Sequence, residues 1–160
     1  MSSGLRDINF IDHEFFMQAA IDEAIIAGKR GDKPIAAILV HDSKIIGKMA
    51  NTWNTRQSKI HHAENYLCLE NAQFLRKHGR DCIIYTTLEP CLMCISTIVM
   101  ADVRNIVIGY PDKYMQTKKF IEGHDWLKER IFNYVVGIKE KECRRLIEEY
   151  GDERDREILL

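Results

Sequence analysis

The chain has 160 residues, 46% apolar and 29% charged, with 23 basic side chains against 24 acidic ones and a formal charge of −1. That length suits one domain with a real core, and the balance describes an ordinary soluble globular protein, not a strongly basic nucleic-acid binder. No apolar run approaches membrane-spanning length, and the opening Met-Ser-Ser-Gly-Leu-Arg-Asp has no apolar signal-peptide centre, so no membrane role is expected.

The first ten residues read as a loose lead-in to a single domain spanning 1–160. Asp12 is a good N-cap and Gly28 a good C′ residue, which predicts a helix between them with Phe16, Ala20, Ala24 and Ala27 on one face. Pro34 to Val40 suits a buried strand, His41 to Lys44 a turn, and Ile45 to Ala50 a returning strand. Asn51 ends that strand, ahead of a polar loop carrying Trp53 and Asn54. His62 to Lys77 reads as one helix, Cys82 to Thr87 as a β-branched strand, and Cys91 to Ala101 as a helix buried on most sides.

Asn105 to Tyr110 and Tyr134 to Ile138 are the remaining strands. Between them, a helix packing Phe120 and Trp126 into the core is one reading of the segment, and a cover over a bound ligand is the other. Cys143, Leu146, Ile147 and Tyr150 then fall at helical spacing, and the mostly charged Gly151 to Leu160 reads as a solvated tail. Helices alternating with strands imply parallel pairing in the second half, with the opening hairpin antiparallel. The expected fold is an α/β/α sandwich: three layers around a mixed sheet of about five strands.

Five cysteines is an odd number. Cys91 and Cys94 carry ligand spacing, and with no secretory signal a reducing cytoplasm is the simpler reading. Cys68, Cys82 and Cys143 read as small buried side chains. Pro90 fits a first helical turn, which places Cys91 and Cys94 near a helix's positive end and favours thiolates. With His62 they make three N/S ligands of the kind one zinc ion takes, leaving a fourth position for water. Glu64 is then available for proton work on that water. Cys68 and Cys82 are poorly placed to close a structural zinc site, so an open catalytic position is the better reading. A zinc-stabilised binding module is the non-enzyme alternative. His61 is read as a surface or hydrogen-bonded side chain, and Glu89 takes no chemical role.

His62-Ala63-Glu64 followed by Pro90-Cys91-Leu92-Met93-Cys94 resembles the signature of the zinc nucleobase deaminases. From about Ile11 to Tyr150 the chain is similar to the cytidine/deoxycytidylate deaminase superfamily. Asn51 stands eleven residues before His62, as in the yeast-type cytosine deaminases. Leu69-Glu70-Asn71 and Tyr85-Thr86-Thr87-Leu88 also fit that group. Ala63 in place of its usual glycine, and Glu89-Pro90, are more like guanine deaminases and tRNA adenosine deaminases. The resemblance implies hydrolytic deamination of a small nucleobase or nucleoside, cytosine first and guanine second, with release of ammonia. It implies Glu64 as proton shuttle, Asn51 and the Ala63 backbone N–H on the base's polar edge, and the Leu88 carbonyl accepting from its amino group. The Cys91 backbone N–H would serve as an oxyanion donor. It further implies a homodimer, with the Cys91 to Ala101 helix as a candidate contact.

A tRNA adenosine deaminase is the alternative, and Lys113, Lys118 and Lys119 are its local basic stretch. Against it, the segment from Glu140 carries eight acidic side chains and five basic ones. Tight RNA binding needs clustered cations.

Overall fold

The computed structural model describes residues 4–160. Its centre is a five-stranded sheet in the order β2-β1-β3-β4-β5. The strands are β1 (Ala36–His41), β2 (Lys44–Ala50), β3 (Cys82–Leu88), β4 (Asn105–Tyr110) and β5 (Asn133–Val136). β1 runs antiparallel to both β2 and β3, while β3, β4 and β5 are parallel. The mixed sheet is therefore as expected. Asp42 and Ser43, both at positive φ, close the two-residue turn between β1 and β2.

The helices are α1 (His13–Arg30), α2 (Ala63–Glu70), α3 (Ala72–His78), α4 (Leu92–Met100), α5 (Thr117–Glu122), α6 (Asp125–Arg130), α7 (Glu140–Tyr150) and α8 (Glu153–Leu159). Strand alternation sorts the core into two layers. Ile38, Val40, Ile83, Tyr85 and Val107 meet Phe16, Met17 and Ala20 of α1 and Cys143, Leu146 and Ile147 of α7. On the opposite face Ala37, Leu39, Ile84, Ile106 and Ile108 meet Leu67 of α2, Leu75 of α3, and Ile95 and Ile98 of α4. Burying each large aliphatic side chain contributes roughly 1.5–3 kcal/mol. The layers are helix, sheet, helix.

Several local expectations change. Asp12 caps α1 through Phe15 N, but the helix passes Gly28 and ends at Gly31, whose φ of 91° is the left-handed C-cap. Gly28 has another use: a Cβ there would lie 2.6 Å from Tyr150, so the missing side chain lets α7 pack against α1. The helix expected from His62 to Lys77 breaks at Asn71 into α2 and α3. β5 covers Asn133–Val136 and stops short of Ile138. In α5 and α6 the buried apolar side chains are Ile121 and Leu127, while Phe120 and Trp126 are exposed. α4 buries Cys94, Ile95, Ile98 and Val99 but leaves Leu92 and Met100 open, so it is not enclosed on most sides.

Both ends are more ordered than expected. Residues 1–3 of the lead-in lie outside the described residues. From Gly4 on it is pinned: Leu5 N donates to the Arg80 carbonyl, and Asn105 and Asn133 donate to the carbonyls of Leu5 and Arg6. Ile8 is buried in the core. The solvated tail is instead α8, opened by a capping box between Asp152 and Asp155. Leu159 is buried in the α1/α7 layer. α8 is charged, but only on part of its surface.

Candidate active site

Two short helices start side by side at one end of the sheet. His62 is the N-cap of α2, in extended backbone, and its ring makes no cap hydrogen bond. Cys91 is the N-cap of α4, and its Sγ accepts from Cys94 N at 3.4 Å. Pro90 therefore precedes the cap rather than occupying the first helical turn. Both sulfurs still sit at the positive end of α4.

His62 Nδ1 lies 3.5 Å from Cys91 Sγ and 3.6 Å from Cys94 Sγ, and the three ligand atoms all fall within 4.8 Å of one another. A tetrahedral zinc with bonds of about 2.3 Å to sulfur and about 2.0–2.1 Å to nitrogen separates such atoms by about 3.6 Å. The donor set fits that ion. The other ring nitrogen, Nε2, is 3.0 Å from the Lys59 carbonyl. Donating its proton there leaves the Nδ1 lone pair turned to the sulfurs, the usual orienting arrangement for a histidine ligand. Hydrogen bonding from Cys94, helped by His62, holds the Cys91 thiol down at about 4. Cys94, sharing its proton with Cys91 and buried, is pushed up.

Glu64 lies in the first turn of α2 and is only 3% exposed. Burial first, then the charge on Cys91, raises its carboxyl above the usual range. A carboxyl raised in this way is suited to hold a proton as well as to release one. Thr86 Oγ1 lies 3.2 Å from Glu64 Oε1 and 2.9 Å from the Leu88 carbonyl, so its single hydrogen serves one at a time. In the sequence Thr86 is marked only by the Tyr85-Thr86-Thr87-Leu88 likeness, with no role attached to it.

These groups border a cavity of about 360 Å³. Asn51, His62, Glu64, Leu88 and Cys91 line it, so five of the expected site residues share one space. Cys94 sits behind Cys91 among the ligands, and Ala63 is fully buried at the start of α2. Asn51 is held at three atoms: its N–H donates to the Ile35 carbonyl, its carbonyl accepts from Arg30 Nη2, and its Oδ1 accepts from Trp53 N. The group left for a ligand is the Nδ2 donor.

The rest of the lining comes from other segments: Lys33 and Ile35 before β1, Trp53 with its ring centre 5.7 Å from that of His62, Glu89, Asp112, Tyr114 and Met115, and, from α8, Arg154, Asp155, Ile158 and Leu159. Lys33 Nζ binds Asp152 at 2.6 Å and Asp155 at 2.7 Å, tying α8 to the approach of β1. Glu89 lines the cavity and also accepts from Asp112 N and from the Tyr134 hydroxyl, fastening the segment after β4. His61 is half-buried and stacks on Tyr66 at 4.2 Å between ring centres, with Nδ1 lacking a hydrogen-bond partner, rather than lying at the surface.

Residues 11–110 match the profile of the cytidine and deoxycytidylate deaminase zinc-binding region. The chain belongs to this deaminase family. As a member it is an enzyme of the zinc-dependent hydrolytic type, acting on C–N bonds. It is 35% identical over 137 residues to the tRNA-specific adenosine deaminase of Bacillus subtilis, covering 81% of this chain and 83% of that one. The enzyme of the same name from Buchnera aphidicola is 30% identical over 142 residues, with 86% of each covered. A structure from a study of A-to-I editing by tRNA:A34 deaminases superposes with a TM-score of 0.73 at 27% identity, covering 82% of this chain and 98% of that one. The guanine deaminase of Nitrosomonas europaea shares the fold, with a TM-score of 0.71 at 22% identity over 86% of this deaminase and 84% of its own chain. These relatives are named for adenosine and guanine, so the likeness to yeast-type cytosine enzymes gains no support from them. Among the described residues no helix is long and apolar enough to cross a membrane.

Proposed function

We propose that this deaminase hydrolyses the ring amine of a small purine, free base or nucleoside, and releases ammonia. The observation that carries the reading is the His62, Cys91 and Cys94 donor group on the wall of a cavity that also holds the buried carboxyl of Glu64. Zinc, when bound, supplies a Lewis acid that brings the pKa of a coordinated water near 7.

Glu64 takes one proton from the attacking water and delivers it to the ring nitrogen beside the amine, then moves the second from the hydroxyl now on the ring carbon to the amine, so that the C–N bond breaks with ammonia leaving and a carbonyl remaining. The Thr86 hydroxyl, shared between Glu64 and the Leu88 carbonyl, steadies the carboxyl through both transfers. Asn51 Nδ2 donates to an acceptor on the base, and the Ala63 N–H holds the same polar edge. The Leu88 carbonyl accepts from the amine, and the Cys91 N–H serves the oxygen that develops on the ring carbon.

Purine is placed ahead of cytosine because the relatives named above are adenosine and guanine deaminases. A free substrate is placed ahead of tRNA because Ile158 and Leu159 of α8 wall the cavity and the carboxylates of Asp112 and Asp155 also border it. The tRNA reading is favoured instead by the identity to two tRNA-specific enzymes. Ammonia release from guanine, adenine, cytosine, their nucleosides and an anticodon stem-loop, at about 50 and about 200 mM salt, separates the two. Turnover of a free purine, indifferent to salt, is expected. Salt-sensitive turnover of the stem-loop, with every free base and nucleoside inert, would replace this reading with the tRNA one.

A homodimer in a reducing cytoplasm belongs to the same proposal. Exposed Leu92 and Met100 on α4 support the dimer, and five unpaired thiols suit that compartment.

A further inference from the structure

The best-satisfied carboxylate in the described chain lies outside the metal corner. Asp32, just past the C-cap of α1, has a fully buried side chain that accepts four hydrogen bonds. Asn54 N at 2.8 Å and Thr55 N at 2.7 Å reach Oδ1. The Thr55 hydroxyl and Arg30 Nε, both at 2.6 Å, reach Oδ2. The same guanidinium extends Nη2 to the Asn51 carbonyl at 2.7 Å. An arginine in the last turn of a helix is ordinarily explained by the helix dipole. Here one arm of its fork is committed to Asp32 and the other to the carbonyl of Asn51, in the loop that carries Asn51 and Trp53 into the cavity.

We infer that Arg30 and Asp32 act as a positioning pair for Asn51, setting the direction in which its free amide donor meets the substrate. The inference rests on the reading that Asn51 binds the base. Neither residue touches the cavity contents. Asp32 folds residues 54–55 onto the end of α1, and Arg30 clamps the carbonyl of Asn51 against that fold. Without the clamp, Asn51 keeps its N–H bond to Ile35 and the bond from Trp53 N to its Oδ1, but the peptide joining it to residue 52 is free to turn and takes the side chain with it. The donor is then present and misdirected. The loss falls on ground state and transition state alike, so it raises KM and leaves kcat near its wild-type value.

Arg30 is the residue to change, because its side chain is 37% exposed whereas that of Asp32 is fully buried. Guanine and adenosine are the probes, with zinc content, thermal stability, KM and kcat measured for each protein. Asn51→Ala is expected to raise KM about fivefold to tenfold, the scale of one lost neutral hydrogen bond. Arg30→Met is expected to raise KM at least threefold, with zinc content and kcat unchanged. Arg30→Lys, a point charge that cannot fork to two acceptors, should restore only part of that. In the Asn51→Ala background, Arg30→Met should add nothing further to KM. A raised KM for Asn51→Ala with a wild-type KM for Arg30→Met would overturn the pairing alone. So would a full second increment in the double variant, or a loss confined to thermal stability. A wild-type KM for Asn51→Ala, or a wild type that turns over neither probe, would remove the underlying reading and this inference with it.

Discussion

The cavity has two walls built on different principles. The metal corner comes from residues close in sequence: His62 and Glu64 share one helix start, and Cys91 and Cys94 share another. The other wall is assembled from distant segments, Lys33 with Asp155, Ile158 and Leu159 of α8, and Lys33 is ion-paired to Asp155 and to the cap residue Asp152. The first needs two helix N-termini brought together at one end of the mixed sheet. The second depends on a helix of seven residues, too short to hold itself in water, kept in place by a capping box, two ion pairs and one buried leucine. Chemistry should therefore depend on the first wall and substrate choice on the second.

The largest effect should come from the metal corner. Cys94→Ser is expected to lose zinc, all measurable turnover and much of its stability, because bound metal joins the starts of α2 and α4. Metal analysis with thermal melting checks this; full zinc occupancy in both Cys91→Ser and Cys94→Ser would mean the ligands were wrongly assigned. Next is the core that carries that corner. Ile98 of α4 is fully buried in the layer it shares with Leu67 of α2, and Ile98→Ala should cost about 2–5 kcal/mol in denaturant unfolding.

The second wall should respond differently. Lys33→Met leaves Asp155, whose side chain is 13% exposed, without its cation. Partial exposure of the trio limits the loss to roughly 1–3 kcal/mol. Its distinguishing mark should be a raised KM with zinc retained, read from steady-state kinetics beside metal analysis. If zinc is lost as well, the two walls are not separable.

The smallest effect is a pH dependence. The Lys33 ammonium, with the Asp155 backbone N–H, holds the Asp152 carboxyl below its ordinary value of 3.8. A depressed folded-state value means the contribution is fully present above pH 3.8 and disappears as pH falls through the depressed value. Wild type should thus lose more stability below pH 3.8 than Asp152→Asn does, seen as converging urea midpoints. Parallel curves would mean that the ion pair contributes nothing to docking α8.

What was legible follows the same division. Sheet pairing was readable because β-branched runs alternate with helical spacing, and the ligands because short-range spacing places them. The end of α1 was misread because Gly28 satisfies a packing demand from Tyr150, 122 residues away, which no local rule contains. The C-terminal segment was misread for a related reason. Its acids looked solvated, yet Asp152 and Asp155 cap a helix and pair with Lys33 across the chain. Of the two readings of the Phe120 to Trp126 segment, the one with both aromatics in the core fails because their neighbours Ile121 and Leu127 occupy the buried face. Asn71 interrupts the helix after His62 without a proline or glycine to announce it.

The most direct test of the account is ammonia release by Glu64→Gln, measured beside wild type on guanine and adenosine, with zinc quantified in the same samples. The account predicts one zinc per chain in both proteins and a kcat lowered at least ~10²–10⁴-fold in the variant. A zinc-loaded Glu64→Gln that turns over substrate at the wild-type rate would contradict it.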